Sequence, residues 1–244
     1  MEISFKMISK KNKLAIYHHL GMGDCIECHG IVRYYKEIYD KVYVFCKSKY
    51  LKSVKFMYRD DPSIIVVEVT NHGEQSDVPA WLHQFDGDFL KIGFGDYSSK
   101  MSYWEKKNYS CGQAFYELAN VPYEYRNEKF FIKRDFEREK AAKKVLNIGE
   151  EKYIFVHDDP TRGYNIDVST EYKVIKNNPT VDFFDMIAVL EDAEEIHCMS
   201  SSILVLIDCL CTKVSFKKLF LHYNVRNVNV GPESLIANWE FIYE

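Results

Sequence analysis

The sequence predicts an α/β protein built from two similar halves, each with a parallel sheet covered by helices on both faces. Short apolar runs alternate with segments of helical periodicity, which is typical of strands buried on both faces. The alternation stops at a strongly charged stretch, residues 123–144, and then begins again. A chain of 244 residues is long enough for one or two domains. We therefore expect two halves that meet near the charged stretch.

Composition and charge exclude several classes of protein. Hydrophobic residues make up 47% and charged residues 28%, the balance of a folded chain and not of a disordered one. The formal net charge of -4 provides no basic field for nucleic acid or anionic membranes, so no nucleic-acid partner is expected. No apolar run approaches the roughly 20 residues of a spanning helix, so no transmembrane segment is predicted. Seven cysteines, an odd number, indicate reduced thiols and a cytoplasmic location.

The first half is predicted to cover residues 1–125. Its strands are continuous apolar runs at Lys13–His19, Lys41–Cys46, Ile64–Val69 and Phe89–Phe94. Apolar residues at steps of three and four predict helices after Gly21–Asp24 and over Tyr50–Met57. A longer, aromatic-rich helix is predicted over Ser102–Asn120, where Pro122 stops it.

The second half is predicted to cover residues 126–231, beginning with a charged surface helix over Asp135–Leu146. Its strands are expected at Tyr153–His157, Tyr172–Ile175, Glu195–Met199 and Lys218–Tyr223. Helices are predicted over Asp182–Leu190, with Asp182 as the N-cap, and over Ser202–Leu210. A last helix is expected over 232–244, packing on the second half or back on the first. The result is two Rossmann-like α/β/α halves facing each other across a cleft, where ligands bind by default.

The loop Gly21-Met22-Gly23-Asp24 follows the first strand and opens a helix. Its glycines let a ligand approach the backbone, and the helix start offers free N–H groups to an anion. It lacks the third glycine of a dinucleotide fingerprint, so NAD is a poor fit. Asp24 has two interpretations, a helix cap or a general base at the end of a strand in the cleft.

The run Cys25-Ile26-Glu27-Cys28-His29 matches the haem c attachment pattern, and its C-x-x-C also resembles a thioredoxin-like redox motif. The run lies inside a predicted helix of a parallel α/β pattern, and no export signal precedes it. Buried thiols that pack the helix are therefore the preferred interpretation. No metal site is predicted, because zinc would need a second pair of ligands.

Two turns in the second half carry candidate ligand-binding residues. After the strand ending at His157, Arg162 could form charge-assisted bonds to a diphosphate, while Gly163 keeps the backbone accessible. The alternative is a solvated turn in which Arg162 pairs with Asp158 or Asp159. The hydroxyls of Ser200, Ser201 and Ser202 lie at a predicted helix start, where they bind phosphate or cap the helix. In the first half, Asp96 ends a further glycine-aspartate loop that could line the acceptor side.

With these motifs the chain resembles GT-B-type glycosyltransferases and is most similar to the heptosyltransferase-like group. Gly21–Asp24 matches the glycine-glycine-aspartate loop of that group. The stretch Phe183–Ser202 resembles its donor-site run of apolar helix, strand and serine-bearing turn. The chain departs from the family where Ser200–Ser202 replaces an aspartate-serine-glycine turn, and the histidine that follows is absent. The run His157–Gly163 is more loosely similar to the donor loop of GT-B fucosyltransferases, which keeps a GDP-sugar open.

The resemblance implies transfer of a sugar from a nucleoside-diphosphate sugar to a glycan or glycoconjugate hydroxyl, without a required metal ion. Asp24 would be the general base. His157, Arg162, Gly163 and Ser200–Ser202 would bind the donor, with the nucleobase near Tyr172–Ile175 and Asp182. Gly21, Gly23 and Asp96 would form the acceptor or phosphate loop.

Two other interpretations stay open at the level of sequence. A non-catalytic module of the same fold would bind a nucleotide or glycan without transferring it, and the altered serine turn favours this alternative. An S-adenosylmethionine-dependent methyltransferase could use Gly21–Asp24 as its cofactor loop. A single-sheet methyltransferase would have no need of the second α/β half.

Overall fold

The computed structural model describes residues 11–93, 110–226 and 232–243, and these residues contain two parallel sheets. The first sheet comprises β1 (Lys11–Tyr17), β2 (Tyr39–Lys47), β3 (Ile64–Val69) and β4 (Asp88–Lys91), in the order β3-β2-β1-β4. The second comprises β5 (Tyr153–His157), β6 (Lys173–Lys176), β7 (Glu195–Cys198), β8 (Leu219–His222) and β9 (Trp239–Ile242), in the order β6-β5-β7-β8-β9. The strands expected from the apolar runs are all present, with ends shifted by a few residues.

Helices cover the sheets in the predicted alternation. Those described in the first half are α1 (Met22–Glu27), α2 (His29–Ile38), α3 (Leu51–Met57), α4 (Asp77–Leu82) and α5 (Cys111–Leu118). The next four are α6 (Tyr125–Glu128), α7 (Phe136–Val145), α8 (Ile187–Asp192) and α9 (Ser202–Leu210). A capping box of Ser110 and Gln113 starts α5. The earlier part of the helix predicted over Ser102–Asn120 lies outside the described residues, as does Asp96.

The helix predicted over 232–244 is wrong. Residues 232–234 form one 3-10 turn, and Trp239–Ile242 is the edge strand β9, which pairs in parallel with β8. Two causes are visible in the structure. The backbone N–H groups of Ile236 and Ala237 donate to the side chain of Asp208 and hence not to a helical ladder. The aromatic and β-branched residues of 239–242 favour an extended backbone beside β8.

A buried ion-pair network joins the two halves. Arg126, on α6, is only 2% exposed. Its Nε and Nη2 donate to the two carboxylate oxygens of Glu27 at 2.5 and 3.0 Å, and its Nη1 donates to Asp208 Oδ2 at 2.5 Å. Glu27 ends α1 in the first half, whereas Asp208 lies on α9 in the second. The second oxygen of Asp208 accepts the N–H groups of Ile236 and Ala237 at 2.9 and 2.8 Å.

An aromatic contact forms a second junction between the halves. The ring of Phe56 on α3 stacks on Phe184, just before α8, with 5.9 Å between centroids. The guanidinium of Arg138 lies 4.6 Å from the centroid of the Phe56 ring. At the rim of this contact, Lys52 pairs with Asp182 at 2.6 Å. Buried apolar residues of both halves form one continuous cluster, so the described halves share a core.

We predict that Arg126→Gln strongly destabilises the protein. The substitution leaves the buried carboxylates of Glu27 and Asp208 without a counter-charge, which costs about 3–5 kcal/mol of unfolding free energy. Urea unfolding measures this loss. Arg162→Gln is the matched control, because its ion pair with Asp159 is exposed and its loss should cost less than about 1 kcal/mol. Equal losses in the two variants would show that the buried network does not hold the halves together.

Candidate functional site

A cavity of about 800 Å³ lies between the halves, at the ends of β1, β5 and β7. The predicted site residues that line it come from both halves: Gly21, Gly23, Asp24, His157, Arg162, Ser200, Ser201 and Ser202. Gly163 is absent from the lining, but it adopts the left-handed φ of 78° that the turn after Arg162 requires. The carboxyl ends of parallel strands meet at one edge of each sheet, and the two edges face each other here.

The glycine loop brings the first half into close contact with the cavity. A Cβ atom at Gly21 would lie 2.6 Å from Asp24 Oδ2, so a larger residue here would displace the carboxylate of Asp24. A Cβ atom at Gly23 would lie 3.7 Å from the Cα of Ser202, which places the starts of α1 and α9 side by side. The N-cap of α1 is Gly21, and Asp24 follows in the first turn.

The surroundings of Asp24 favour its protonated form. Burial, together with the negative charge of Glu27 one helical turn away, raises the pKa of this carboxyl from 3.8 to about 6. The backbone N–H groups of Gly21 and Asp24 and the positive charge of Arg226 act in the opposite direction. A carboxylate of this pKa takes up and releases protons near neutral pH, as a general base must.

In the turn after β5, Arg162 forms the ion pair with Asp159 that the alternative interpretation predicted. Its Nε donates to Asp159 Oδ2 at 2.5 Å, and its guanidinium lies 5.3 Å from the centroid of the Tyr164 ring. The neighbouring Asp158 is buried and pairs with Lys176 at 2.6 Å. Both cations of this wall of the cavity are therefore already paired with carboxylates.

His157, the last residue of β5, presents a partly buried imidazole. Burial lowers its pKa, although Asn177 and the nearby aspartates oppose that shift. Its Nδ1 is buried and has no hydrogen-bond partner among the described residues. His157 therefore lines the cavity as a neutral imidazole whose Nδ1 is buried.

The serine turn after β7 both caps a helix and lines the cavity. Ser201 is the N-cap of α9, and its Oγ accepts the N–H of Ile203 at 3.3 Å. Capping is thus the observed role of Ser201, and not of Ser202. The backbone carbonyl of Ser200 accepts a hydrogen bond from Arg226 at 2.8 Å. This contact connects the turn to the segment after β8.

Several lining residues were not found from the sequence. They are Glu27, Tyr50, Tyr123, Arg126, Lys176, Asn177, Pro179 and Arg226. The expected nucleobase residues Tyr172–Ile175 and Asp182 do not line the cavity, because β6 ends one residue later and Asp182 pairs with Arg138 at 2.7 Å. Lys176 and Asn177 line this part of the cavity instead. A charge directly after a strand end is the one signal that would have identified Lys176.

The thiols of the C-x-x-C run pack in the core, as preferred. Cys25 and Cys28 are fully buried free thiols. A hydrogen bond with Cys46 and burial raise the pKa of Cys25, and burial raises that of Cys28. Thiolate chemistry is therefore disfavoured at both. Among residues 11–93, 110–226 and 232–243, no group of three or more His, Cys, Asp or Glu side chains could hold a metal ion, and no helix is long and apolar enough to cross a membrane.

We predict that Asp24→Asn changes how stability depends on pH. Folding raises the pKa of Asp24 from 3.8 to about 6, so the folded state binds this proton more tightly than the unfolded state. Wild-type stability should fall as pH rises between these values and then level off, whereas the variant lacks this loss. Across this pH range, the unfolding free energy of the variant should rise by up to about 3 kcal/mol relative to that of the wild type. Urea unfolding at several pH values checks this, and parallel curves would contradict a raised pKa.

Comparison with solved structures identifies two proteins of similar fold. No protein-family model matches the chain, and no curated protein sequence matches it. Among solved structures, a glycosyl transferase family 9 protein from Veillonella parvula DSM 2008 is similar with a TM-score of 0.56 and 9% identity, covering 95% of this chain and 86% of that one. The iron-containing dodecameric glycosyltransferase TibC from enterotoxigenic E. coli H10407 is similar with a TM-score of 0.51 and 8% identity, covering 87% and 57%. The two parallel sheets and these neighbours confirm the predicted GT-B-like fold with two Rossmann-like halves.

Proposed function

We propose that the chain is a glycosyltransferase that moves a sugar from a nucleoside-diphosphate sugar to a hydroxyl of a glycan or glycoconjugate. One observation carries the proposal: Asp24 of the first half and the Ser200–Ser202 turn of the second half line the same cavity. The fold neighbours, both described as glycosyltransferases, support the same class of activity. Free cysteines throughout the chain support a cytoplasmic site of action.

In the proposed reaction, Asp24 accepts the proton of the acceptor hydroxyl while the acceptor oxygen bonds to the anomeric carbon of the donor sugar. The bond between that carbon and the diphosphate oxygen breaks, and its electron pair leaves with the diphosphate. With a pKa of about 6, Asp24 is largely deprotonated at neutral pH and ready to accept the proton. The N–H groups at the start of α9 and the serine hydroxyls would stabilise the negative charge of the leaving group.

The cavity offers a separate wall for the acceptor. Tyr50 and Tyr123, both partly exposed, line the same cavity as Asp24. Aromatic rings present flat apolar faces to the C–H groups of a sugar, while the tyrosine hydroxyls supply hydrogen-bonding groups. The donor would occupy the side formed by His157 and the serine turn. This arrangement leaves the base between the two substrates.

We predict that Asp24→Asn lowers the transfer rate by a factor of about 10²–10⁴, the usual contribution of a general base. Nucleoside-diphosphate binding should persist in this variant, because Asp24 removes a proton from the acceptor and does not hold the donor. The assay follows nucleoside diphosphate released from UDP-, GDP- and ADP-sugars in the presence of glycan acceptors.

Asp77→Asn is the matched control, since Asp77 also lies in the first turn of a helix but outside the cavity. Its activity should equal that of the wild type. Near-normal turnover by folded Asp24→Asn protein would show that Asp24 is only a structural residue. A wild-type protein that binds a nucleotide sugar without consuming it would indicate the alternative, a non-catalytic module.

We further propose that transfer needs no divalent metal ion, because helix N–H groups, hydroxyls and arginines can stabilise a diphosphate. Activity should then remain within about twofold of its initial value in excess EDTA, an effect too small to reflect loss of a charge-stabilising ion. Restoration of an EDTA-inhibited rate by magnesium or manganese would contradict this part of the proposal.

A further inference from the structure

The basic residues that line the cavity differ in whether a carboxylate already neutralises their charge. Four line it: Arg126, Arg162, Lys176 and Arg226. Arg126 is held by Glu27 and Asp208 in the buried network. Arg162 pairs with Asp159 and Lys176 with Asp158, at 2.5 and 2.6 Å. An anion that used any of these three cations would have to compete with a carboxylate already in place.

Arg226 is in a different situation. Among the described residues, no carboxylate forms an ion pair with Arg226. Its Nη1 donates to the carbonyl oxygen of Ser200 at 2.8 Å, which holds the side chain beside the serine turn. Asp24 lines the same cavity, and the positive charge of Arg226 opposes the rise in the pKa of this carboxyl. Arg226 thus shares the cavity with Asp24 and is bonded to the serine turn.

A guanidinium carries five N–H donors in a planar fork, of which one bonds to Ser200. The remaining donors match the oxygens of a phosphate, which such a fork binds by two parallel hydrogen bonds. Binding there breaks no ion pair between described residues, in contrast to binding at Arg162 or Lys176. The anion would also meet the N–H groups at the start of α9.

We infer that Arg226 is the residue that binds the diphosphate of the donor, placing the leaving group between the Ser200–Ser202 turn and Asp24. The inference rests on the proposed function and changes the expected role of Arg162. Arg162 then forms a paired turn at the rim of the cavity. Arg226 neutralises the charge that develops on the departing diphosphate during transfer.

Calorimetry with inorganic pyrophosphate, UDP, GDP and ADP tests the inference on the full chain. Arg226→Gln should weaken the binding of pyrophosphate, and of whichever nucleoside diphosphate binds, at least about tenfold, because charge-assisted hydrogen bonds are lost. Arg226→Lys should recover part of the affinity, since it keeps the charge but not the fork. Arg162→Gln should have a smaller effect than Arg226→Gln.

Two controls separate phosphate binding from damage to the fold. Arg59→Gln removes an arginine that lies outside the cavity and should bind pyrophosphate within about twofold of wild type, the small effect of a distant exposed charge. The nucleoside without phosphates should bind Arg226→Gln as it binds wild type. If Arg226→Gln does not fold, Arg226→Lys carries the same comparison.

Three outcomes would contradict the inference. A larger loss in Arg162→Gln than in Arg226→Gln would overturn the inference and leave the proposed function standing. An equal loss of nucleoside and diphosphate affinity in Arg226→Gln would show a structural role and also overturn it. A wild-type protein that binds neither pyrophosphate nor any nucleoside diphosphate would overturn both the inference and the proposed function.

Discussion

The buried charge of Arg126 is the constraint on which the rest of the structure depends. A guanidinium taken out of water is costly unless carboxylates surround it, and here Glu27 and Asp208 do so from opposite halves. The two carboxylates cannot separate without leaving a charge buried and unpaired. Helices α1 and α9 are therefore held together, and their first turns define one end of the cavity. The same aspartate fixes residues 236–237 ahead of β9.

This constraint also shapes the chemistry of the site. Glu27 belongs to the network, yet it lies one helical turn from Asp24 and raises the pKa of that carboxyl. A residue that joins the halves thus also tunes the proposed base. On the opposite side, Arg226 lowers the pKa of Asp24 and is bonded to the serine turn. Burial thus has the largest effect on the pKa of Asp24, and charged groups from both halves modify it.

The sequence was sufficient to predict what depends on local pattern. Continuous apolar runs such as Ile64–Val69 and Tyr153–His157 became strands because both of their faces are buried. Loops after β1, β5 and β7 met in one cavity because the ends of parallel strands converge. These two rules were enough to bring Asp24, His157 and the serine turn together.

The sequence did not predict features that depend on contacts between residues far apart in the chain. In the sequence alone, Arg126 and Asp208 resemble surface charges. Only the fold shows that they form a buried ion pair. The spacing of Leu235, Ile236 and Trp239 is typical of a helix, but residues 239–242 pair with β8 as a strand. The sequence indicated Arg162 as a candidate ligand for the diphosphate and did not identify Arg226. What separates them is Asp159, which pairs with the first, and the absence of a described carboxylate beside the second.

The central claim is that one nucleoside diphosphate binds in the cavity between the halves, and a thermal-shift panel tests it most directly. The panel contains UDP, GDP, ADP, CMP and S-adenosylmethionine, each with and without magnesium or manganese. A ligand at about 100 times its dissociation constant stabilises a fold by about 2.7 kcal/mol, which raises the melting temperature measurably. Our account predicts a shift with one nucleoside diphosphate and no requirement for metal. A shift with S-adenosylmethionine alone, or no shift with any compound, would contradict it.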